Sequence, residues 1–577
     1  MNRHAMQHIM DSSYCFPVSE KEIVIRLRTA RDDIKWAQII YESKYVFGEK
    51  QQKAFMEKSY TSELYDYFDI HLELEDTRLA YVFQVNDGEK SWFFSEDGIT
   101  ENYDYKLGYY NFFQYPYINR ADIMERVAWM KDAVFYQIFV ERFHMGDSQK
   151  DTSYINCEWG DIPHPKTFAG GDLKGITKKL DYIKATGCNA IYLTPVFQSI
   201  SNHKYDISDY YSVDNQFGSN EDLKELVQEA HKRGMKLVMD AVFNHCSDRM
   251  KEFQDVLEKG RQSSYYTWFF IEGDKPDPKK GNYEMFASCE YMPKLNTSNP
   301  EVQKFLNDIG CYYIQEYDID GWRLDVSDEV SHDFWRSFRK AIKSCKKDAV
   351  IIGENWHDAY SNLRGDQYDS IMNYAFTKAC LDYFAKETMD AQGLAWKLND
   401  LLMRNSDTVN TMMLNLLDSH DTHRFFSEVG ENRFKMKAAL CLLYLFPGTP
   451  CIFYGTEILM PGGYDPDCRR CMDWEKANVY GEYADIYELL NRLSVIRRKY
   501  MTAEGKVRIS AENGVFLLEI SSMENTIILC INNTDKDIDI DKKGYYQKAR
   551  SCRIKVEDKL HKQVEFIECW EGASKNE

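Results

Sequence analysis

An arginine and an aspartate two residues apart, Arg323 and Asp325, lie in the segment Gly321-Trp322-Arg323-Leu324-Asp325-Val326-Ser327-Asp328-Glu329, at the expected end of a strand. Alternate strand residues point the same way, so guanidinium and carboxylate share one face. The cation would hold the carboxylate ionised, as a nucleophilic aspartate requires. The same pair also reads as a structural ion pair in the mouth of a barrel. Two further segments bear on the choice: Ile351-Ile352-Gly353-Glu354-Asn355-Trp356-His357-Asp358 and Leu416-Leu417-Asp418-Ser419-His420-Asp421 each end an apolar run with carboxylates. Three acids in this order, each closing a strand, are hard to produce by chance and favour chemistry.

Those acids need elements that bring them together. From about Asp132 onward, apolar strand candidates alternate with amphipathic helices. Eight strands are expected, beginning near Ala133, Ala190, Lys236, Gly321, Ala349, Ser370, Thr411 and Thr449. Between the second and third lies a helix over Asn220 to Arg233, with Ser219 as N-cap and Asp222 placed to reach back to it. Leu223, Leu226, Val227 and Ala230 form its apolar face, and Gly234 suits the position after its end. Eight such units predict an α/β protein built on a (β/α)8 TIM barrel, in which strand C-termini converge on one face.

Flanking segments read differently. Ile23, Ile25 and Leu27 alternate with Val24, Arg26 and Arg28, and Phe68, Ile70, Leu72 and Leu74 alternate with acids and a histidine. Period-two patterning predicts an N-terminal β-sandwich over 1–120. The barrel is expected over 121–500, with an interrupted third unit over 245–299. A C-terminal β-sandwich is expected over 501–577, with strands over Gly514 to Ile520 and Thr526 to Ile531.

The motifs resemble a known family. The two acidic segments, the Arg323–Asp325 segment and Asp240-Ala241-Val242-Phe243-Asn244-His245 are similar to the four short motifs of the α-amylase family of glycoside hydrolases. Met292-Pro293-Lys294-Leu295-Asn296 resembles a fifth motif, typical of its neopullulanase, cyclomaltodextrinase and maltogenic amylase subgroup. Asn202-His203-Lys204-Tyr205-Asp206 and Gly353-Glu354-Asn355-Trp356-His357-Asp358 look like the same subgroup. The resemblance implies that 245–299 is a small domain inserted after the third strand, and that the chain is a retaining α-glucan hydrolase acting on cyclodextrins, maltodextrins or pullulan. An enzyme of the same fold that mainly transglycosylates and a non-catalytic glycan-binding relative are the alternatives.

Retaining glycosidases pair a nucleophilic carboxylate with a protonated one. On both arguments Asp325 is the expected nucleophile, Glu354 the acid/base and Asp421 the stabiliser of the transition state. The resemblance implies sugar contacts for His203, Tyr205, His245 and His420. It also implies that Asp465 and Arg469, in Gly462-Gly463-Tyr464-Asp465-Pro466-Asp467-Cys468-Arg469, grip a non-reducing end. Phe286 and Trp356 read either as acceptor-side walls or as packing, and His332 and His357 read either as sugar contacts or as packing or capping residues. Asn355 stands where the subgroup often carries an aliphatic residue.

No cofactor is needed for such chemistry. Many relatives cage a structural calcium in the loop after the first strand. Here Met145 and Lys150 replace oxygen ligands, leaving Asp147, Asp151 and Asp172 with Lys150 as an internal cation, so calcium is disfavoured.

Composition bounds the partners. Over 577 residues the net charge is −20, which disfavours nucleic acid and anionic membranes and fits a neutral oligosaccharide. The start lacks a secretory signal. The 15 cysteines, an odd number with no paired CxxC motifs, suit free thiols in the cytoplasm. The subgroup's N-terminal domain implies a homodimer.

Overall fold

The computed structural model describes residues 1–501, 505–540 and 545–570; the rest of the C-terminal domain expected over 501–577 lies outside the described residues. The chain forms two compact units. One comprises Val127–Lys386 and Met412–Met501. The other gathers Met1–Arg126, Glu387–Thr411 and the described residues after 501.

The first unit is an eight-stranded parallel barrel. Its strands are β1 (Phe135–Ile138), β2 (Ala190–Leu193), β3 (Lys236–Ala241), β4 (Gly321–Leu324), β5 (Val350–Gly353), β6 (Ser370–Ile371), β7 (Leu414–Leu416) and β8 (Thr449–Phe453). They pair in the order β6-β5-β4-β3-β2-β1-β8-β7, and a single parallel bridge between Met372 and Leu414 joins the two ends. All residues of these eight strands are buried except the half-exposed Lys236, as continuous apolar runs between a filled interior and a helical ring require.

The helix after β2 spans Asn220–Lys232. Ser219 accepts from the Asp222 amide while Asp222 accepts from the Ser219 amide at 2.8 Å, a complete capping box. Its buried residues are Leu223, Leu226, Val227 and Ala230, the face read from the sequence, and Gly234 follows in a left-handed turn at φ 72°.

In the second unit, residues 1–120 build two antiparallel sheets. One holds Cys15–Pro17, Glu22–Ala30, Tyr65–Glu73 and Glu57–Thr61. The other is centred on Trp36–Ser43 and Leu79–Asn86. Ile23, Ile25 and Leu27 meet Ile39, Tyr81, Phe83 and Val85 in a shared core. The alternation suggested a half-buried strand, yet Val24 and Arg26 are buried too. The second face is covered by residues 387–411: Arg26 donates to Asn405 O at 3.0 Å and pairs with Asp407. In the same segment, the helix Ala391–Met403 sends Asn399 to Thr61 O at 2.9 Å and Ile509 O at 3.1 Å. Near the C-terminus, Lys506–Glu512, Val515–Ser521, Asn525–Asn532, Ser551–Asp558 and Gln563–Trp570 form a five-stranded antiparallel sheet. Among the described residues, no helix is long and apolar enough to cross a membrane.

Candidate active site

Arg323 sits at the centre of the strand C-termini. Its Nη1 donates to both carboxylate oxygens of Asp240 at 3.1 and 3.0 Å and to Asp325 Oδ1 at 2.9 Å. Its Nη2 lies 2.9 Å from Glu354 Oε2, an ion-pair distance without hydrogen-bond alignment. One guanidinium therefore serves three carboxylates, from β3 and from the ends of β4 and β5. Asp325 and Glu354 are 6% and 7% exposed, so both carboxylates are largely withdrawn from bulk solvent.

That sharing modifies the expectation that Arg323 simply keeps Asp325 ionised. Burial pushes the Asp325 carboxyl well above the usual range. Arg323 pulls it down, while Glu354, Asp240 and Asp421 push it up again. Burial likewise raises Asp240, to about 6, against the pull of Arg323 and the Tyr192 hydroxyl. A cation shared between neighbouring acids does not fully offset the desolvation of Asp325 and Asp240.

Asp421 completes the carboxylate set. It lies 3.1 Å from His420 Nε2 through Oδ2 and accepts from Arg469 Nη2 at 3.1 Å through Oδ1. Arg469 also donates to His420 O at 2.7 Å and pairs with Asp465 at 2.9 Å, so the two turn residues are joined to Asp421. His420 Nε2 is 2.6 Å from the Tyr205 hydroxyl, which lies 3.0 Å from Asp240 Oδ2. Through Tyr205 the Asp421 side of the cleft is linked to the Arg323 cluster. Burial, reinforced by Arg469 and Arg323, holds His420 neutral.

His203 accepts the Tyr205 amide at 3.1 Å and is held down to about 4 by burial. His245 stacks on Phe286, with centroids 4.7 Å apart, and burial lowers it to about 3. Its Nε2 is buried without a protein partner, a polar atom left for a ligand. Trp356 is 43% exposed and donates to Glu354 Oε1 at 3.2 Å. Not every singled-out residue joins the site. His332 Nδ1 lies 2.8 Å from Gln367 Oε1, and Asn355 turns back to accept the His357 amide at 2.9 Å.

The loop after β1 gathers differently from its reading in the sequence. The Lys150 side chain is only 6% exposed and donates to Gly170 O at 2.5 Å and Gln216 O at 3.0 Å, 3.0 Å from Asp172 Oδ2. Asp147 instead pairs with Lys174 at 2.6 Å, and Asp151 accepts from Ser153 at the surface. Asp172 spends its oxygens on the amides of Gly146, Asp147 and Gly175. The three aspartates thus do not converge, and among the described residues no three His, Cys, Asp or Glu side chains are grouped to hold a metal ion.

Several site residues carried no chemical signal of their own. Asp240 opens a quoted motif, but its role at Arg323 depends on pairing between β3 and β4. Tyr192 donates to Asp240 at 2.7 Å, Gln137 lies 2.7 Å from His420 Nδ1, and Tyr374 lies under Trp356. Each reads in isolation as an ordinary core residue.

Comparison with known proteins agrees with this arrangement. Residues 137–514 match the alpha amylase catalytic domain and residues 1–119 the alpha amylase N-terminal ig-like domain. The chain is 42% identical to a cyclomaltodextrinase of Thermoanaerobacter pseudethanolicus over 93% of each sequence. It is 40% identical to an intracellular maltogenic amylase of Bacillus subtilis, covering 87% of this chain and 85% of that one. A solved cyclomaltodextrinase structure superposes with a TM-score of 0.88 at 36% identity, over 93% and 92% of the two chains. With acids at the ends of β4, β5 and β7 of a parallel barrel, this chain belongs to the α-amylase family of glycoside hydrolases, as an enzyme of the cyclomaltodextrinase and maltogenic amylase type.

Proposed function

We propose that the enzyme cleaves α-1,4 glucosidic bonds, and α-1,6 bonds where the cleft admits them, in cyclodextrins, maltodextrins or pullulan. The carrying observation is Arg323 spanning Asp325 and Glu354 at the ends of adjacent strands. Asp325 attacks the anomeric carbon as Glu354 protonates the departing oxygen. Glu354 then takes a proton from a water whose oxygen attacks the anomeric carbon and displaces Asp325, which releases the sugar with its anomeric configuration retained. Asp421 binds hydroxyls of the same sugar, as do His203, His420 and the unpartnered Nε2 of His245, with Tyr205 as stacking platform. Asp465 and Arg469 close the non-reducing end, and Phe286 and Trp356 line the acceptor side. Chromatography of products from β-cyclodextrin, maltotriose, pullulan and starch tests the substrate reading. No turnover of any of them would overturn it.

A mainly transglycosylating enzyme is the second reading. The exposed Trp356 indole, beside Glu354, offers a flat face to an acceptor sugar. The chain keeps all three acids, which argues against a non-catalytic role.

The chemistry requires no metal. We propose that the Lys150 ammonium, among Asp172 Oδ2 and the Gly170 and Gln216 carbonyls, supplies the charge that a calcium ion supplies in many relatives. The thiols and the relative named intracellular support the cytoplasm. A homodimer formed through the N-terminal domain is supported by its exposed Tyr45, Leu107, Tyr109 and Tyr110. Because residues 387–411 cover the N-terminal sheet, deleting residues 1–120 would strip a core surface. Tyr110→Ser with light scattering is the cleaner test, and an unchanged monomer before and after the change would overturn the dimer.

A further inference from the structure

Val326, directly after Asp325, stands at φ 45°, ψ 45° in the left-handed region. A β-branched residue there is a backbone outlier that persists only when its surroundings over-determine it. The surroundings are visible. Ser327 Oγ donates to the backbone carbonyl of Glu354 at 2.6 Å, and the Ser327 carbonyl accepts from Trp335 Nε1 and the Tyr368 hydroxyl, each at 2.9 Å. Asp325 and Glu354 are anchored through their own amides to Ala241 O and Leu324 O at 3.1 and 2.9 Å. The turn is thus bound to β5 and to the packed helix behind it. Its product is one contact: the Val326 amide donates to Glu354 Oε2 at 2.9 Å.

The two oxygens of Glu354 are consequently unlike. Oε2 faces the Val326 N–H and, at 2.9 Å, the Arg323 guanidinium. Among the described residues, Oε1 meets only the Trp356 indole N–H, at 3.2 Å. A proton on Oε2 would confront an amide donor and a cation, whereas Oε1 keeps a lone pair for the indole and room for a proton. We propose that Val326 is a positioning residue: its strained amide, with Arg323, reserves Oε2 as an acceptor and confines the acid proton to Oε1. Glu354 then presents that proton on its Trp356 side. This rests on the reading of Glu354 as the acid/base.

The test replaces Val326 by its α-hydroxy acid, which keeps the side chain and turns the amide into an ester without the N–H. Proton donation matters for a poor leaving group such as the sugar of maltotriose, and little for α-maltosyl fluoride. The ester variant should lose roughly tenfold in kcat on maltotriose, with KM unchanged and the fluoride rate kept, since a hydrogen bond to a charged group has been removed. Val326→Asn, whose side chain tolerates the left-handed turn and whose amide remains, should stay near the parent on both substrates. Equal losses on the two substrates, or no loss on maltotriose, would overturn the proposal. Glu354→Gln is the control. If it cleaves maltotriose normally, the acid assignment itself fails. If it keeps only the initial burst of fluoride release, the step that needs no acid, while the ester behaves like the parent, the positioning role alone falls.

Discussion

The indole of Trp356 lies flat on the ring of Tyr374, with centroids 3.7 Å apart and planes within 2° of parallel. Tyr374 is buried and Trp356 exposed, so the inner ring fixes the plane of the outer one. Trp356→Ala removes both the platform and the N–H on Glu354 Oε1. It should lower the ratio of transglycosylation to hydrolysis by up to about tenfold, the scale of an aromatic contact. Trp356→Phe keeps the stack and should preserve that ratio. Product ratios at high maltotriose concentration decide this, and an unchanged ratio in the Ala variant contradicts it.

Asp325→Asn and Glu354→Gln should each reduce kcat on maltotriose at least about a thousandfold, about 4 kcal/mol of transition-state stabilisation. The Asp325 change should also raise the melting temperature at pH 7, because it removes a carboxylate whose burial works against its charge. Proton NMR of early wild-type products should show the α-anomer first. Near-normal turnover in either variant, or β-anomeric product, would refute the assignment.

The pH dependence follows from burial. His245 and His203 are held down to about 3 and 4, below the ordinary value near 6.5 that applies in the unfolded chain. Their contribution to stability is complete above that ordinary value. It drains as pH falls from about 6.5 to about 3, because the unfolded chain takes up protons that the buried rings refuse. Thermal melts should therefore weaken across that window, and His245→Phe should flatten the slope. In activity, the raised Asp325 places the acid limb above the usual carboxylate range. Asp240→Asn, by removing a neighbouring negative charge, should move that limb to lower pH.

Lys150→Met leaves Asp172 and two carbonyls facing a thioether. Breaking a buried ion pair from one side costs about 3–5 kcal/mol, so a drop of several degrees in melting temperature is expected. The wild-type melt should be indifferent to calcium and to a chelator. A stoichiometric calcium ion in the purified protein would show that this loop works as a metal site after all.

Much of this architecture was legible in the residues because the signals are local. Strand starts at Ala190, Lys236, Gly321, Ser370 and Thr449 follow from apolar runs bounded by turn residues, and the Ser219–Asp222 capping box from a three-residue spacing. Asp325, Glu354 and Asp421 stood out because carboxylates closing apolar strands have few structural uses. What the chain alone determined was which residues end strands and which face they share. Only the tertiary structure decided who meets whom. Arg323 is divided among three acids because β3, β4 and β5 pair in register. Tyr374 lies under Trp356 because β6 follows β5 around the barrel. Arg26 is buried because residues 387–411, far away in sequence, cover a strand face that alternation alone leaves to solvent. Val326 is left-handed for the same reason: backbone propensity opposes that conformation, and contacts from separate elements, available only once the barrel has closed, outweigh it.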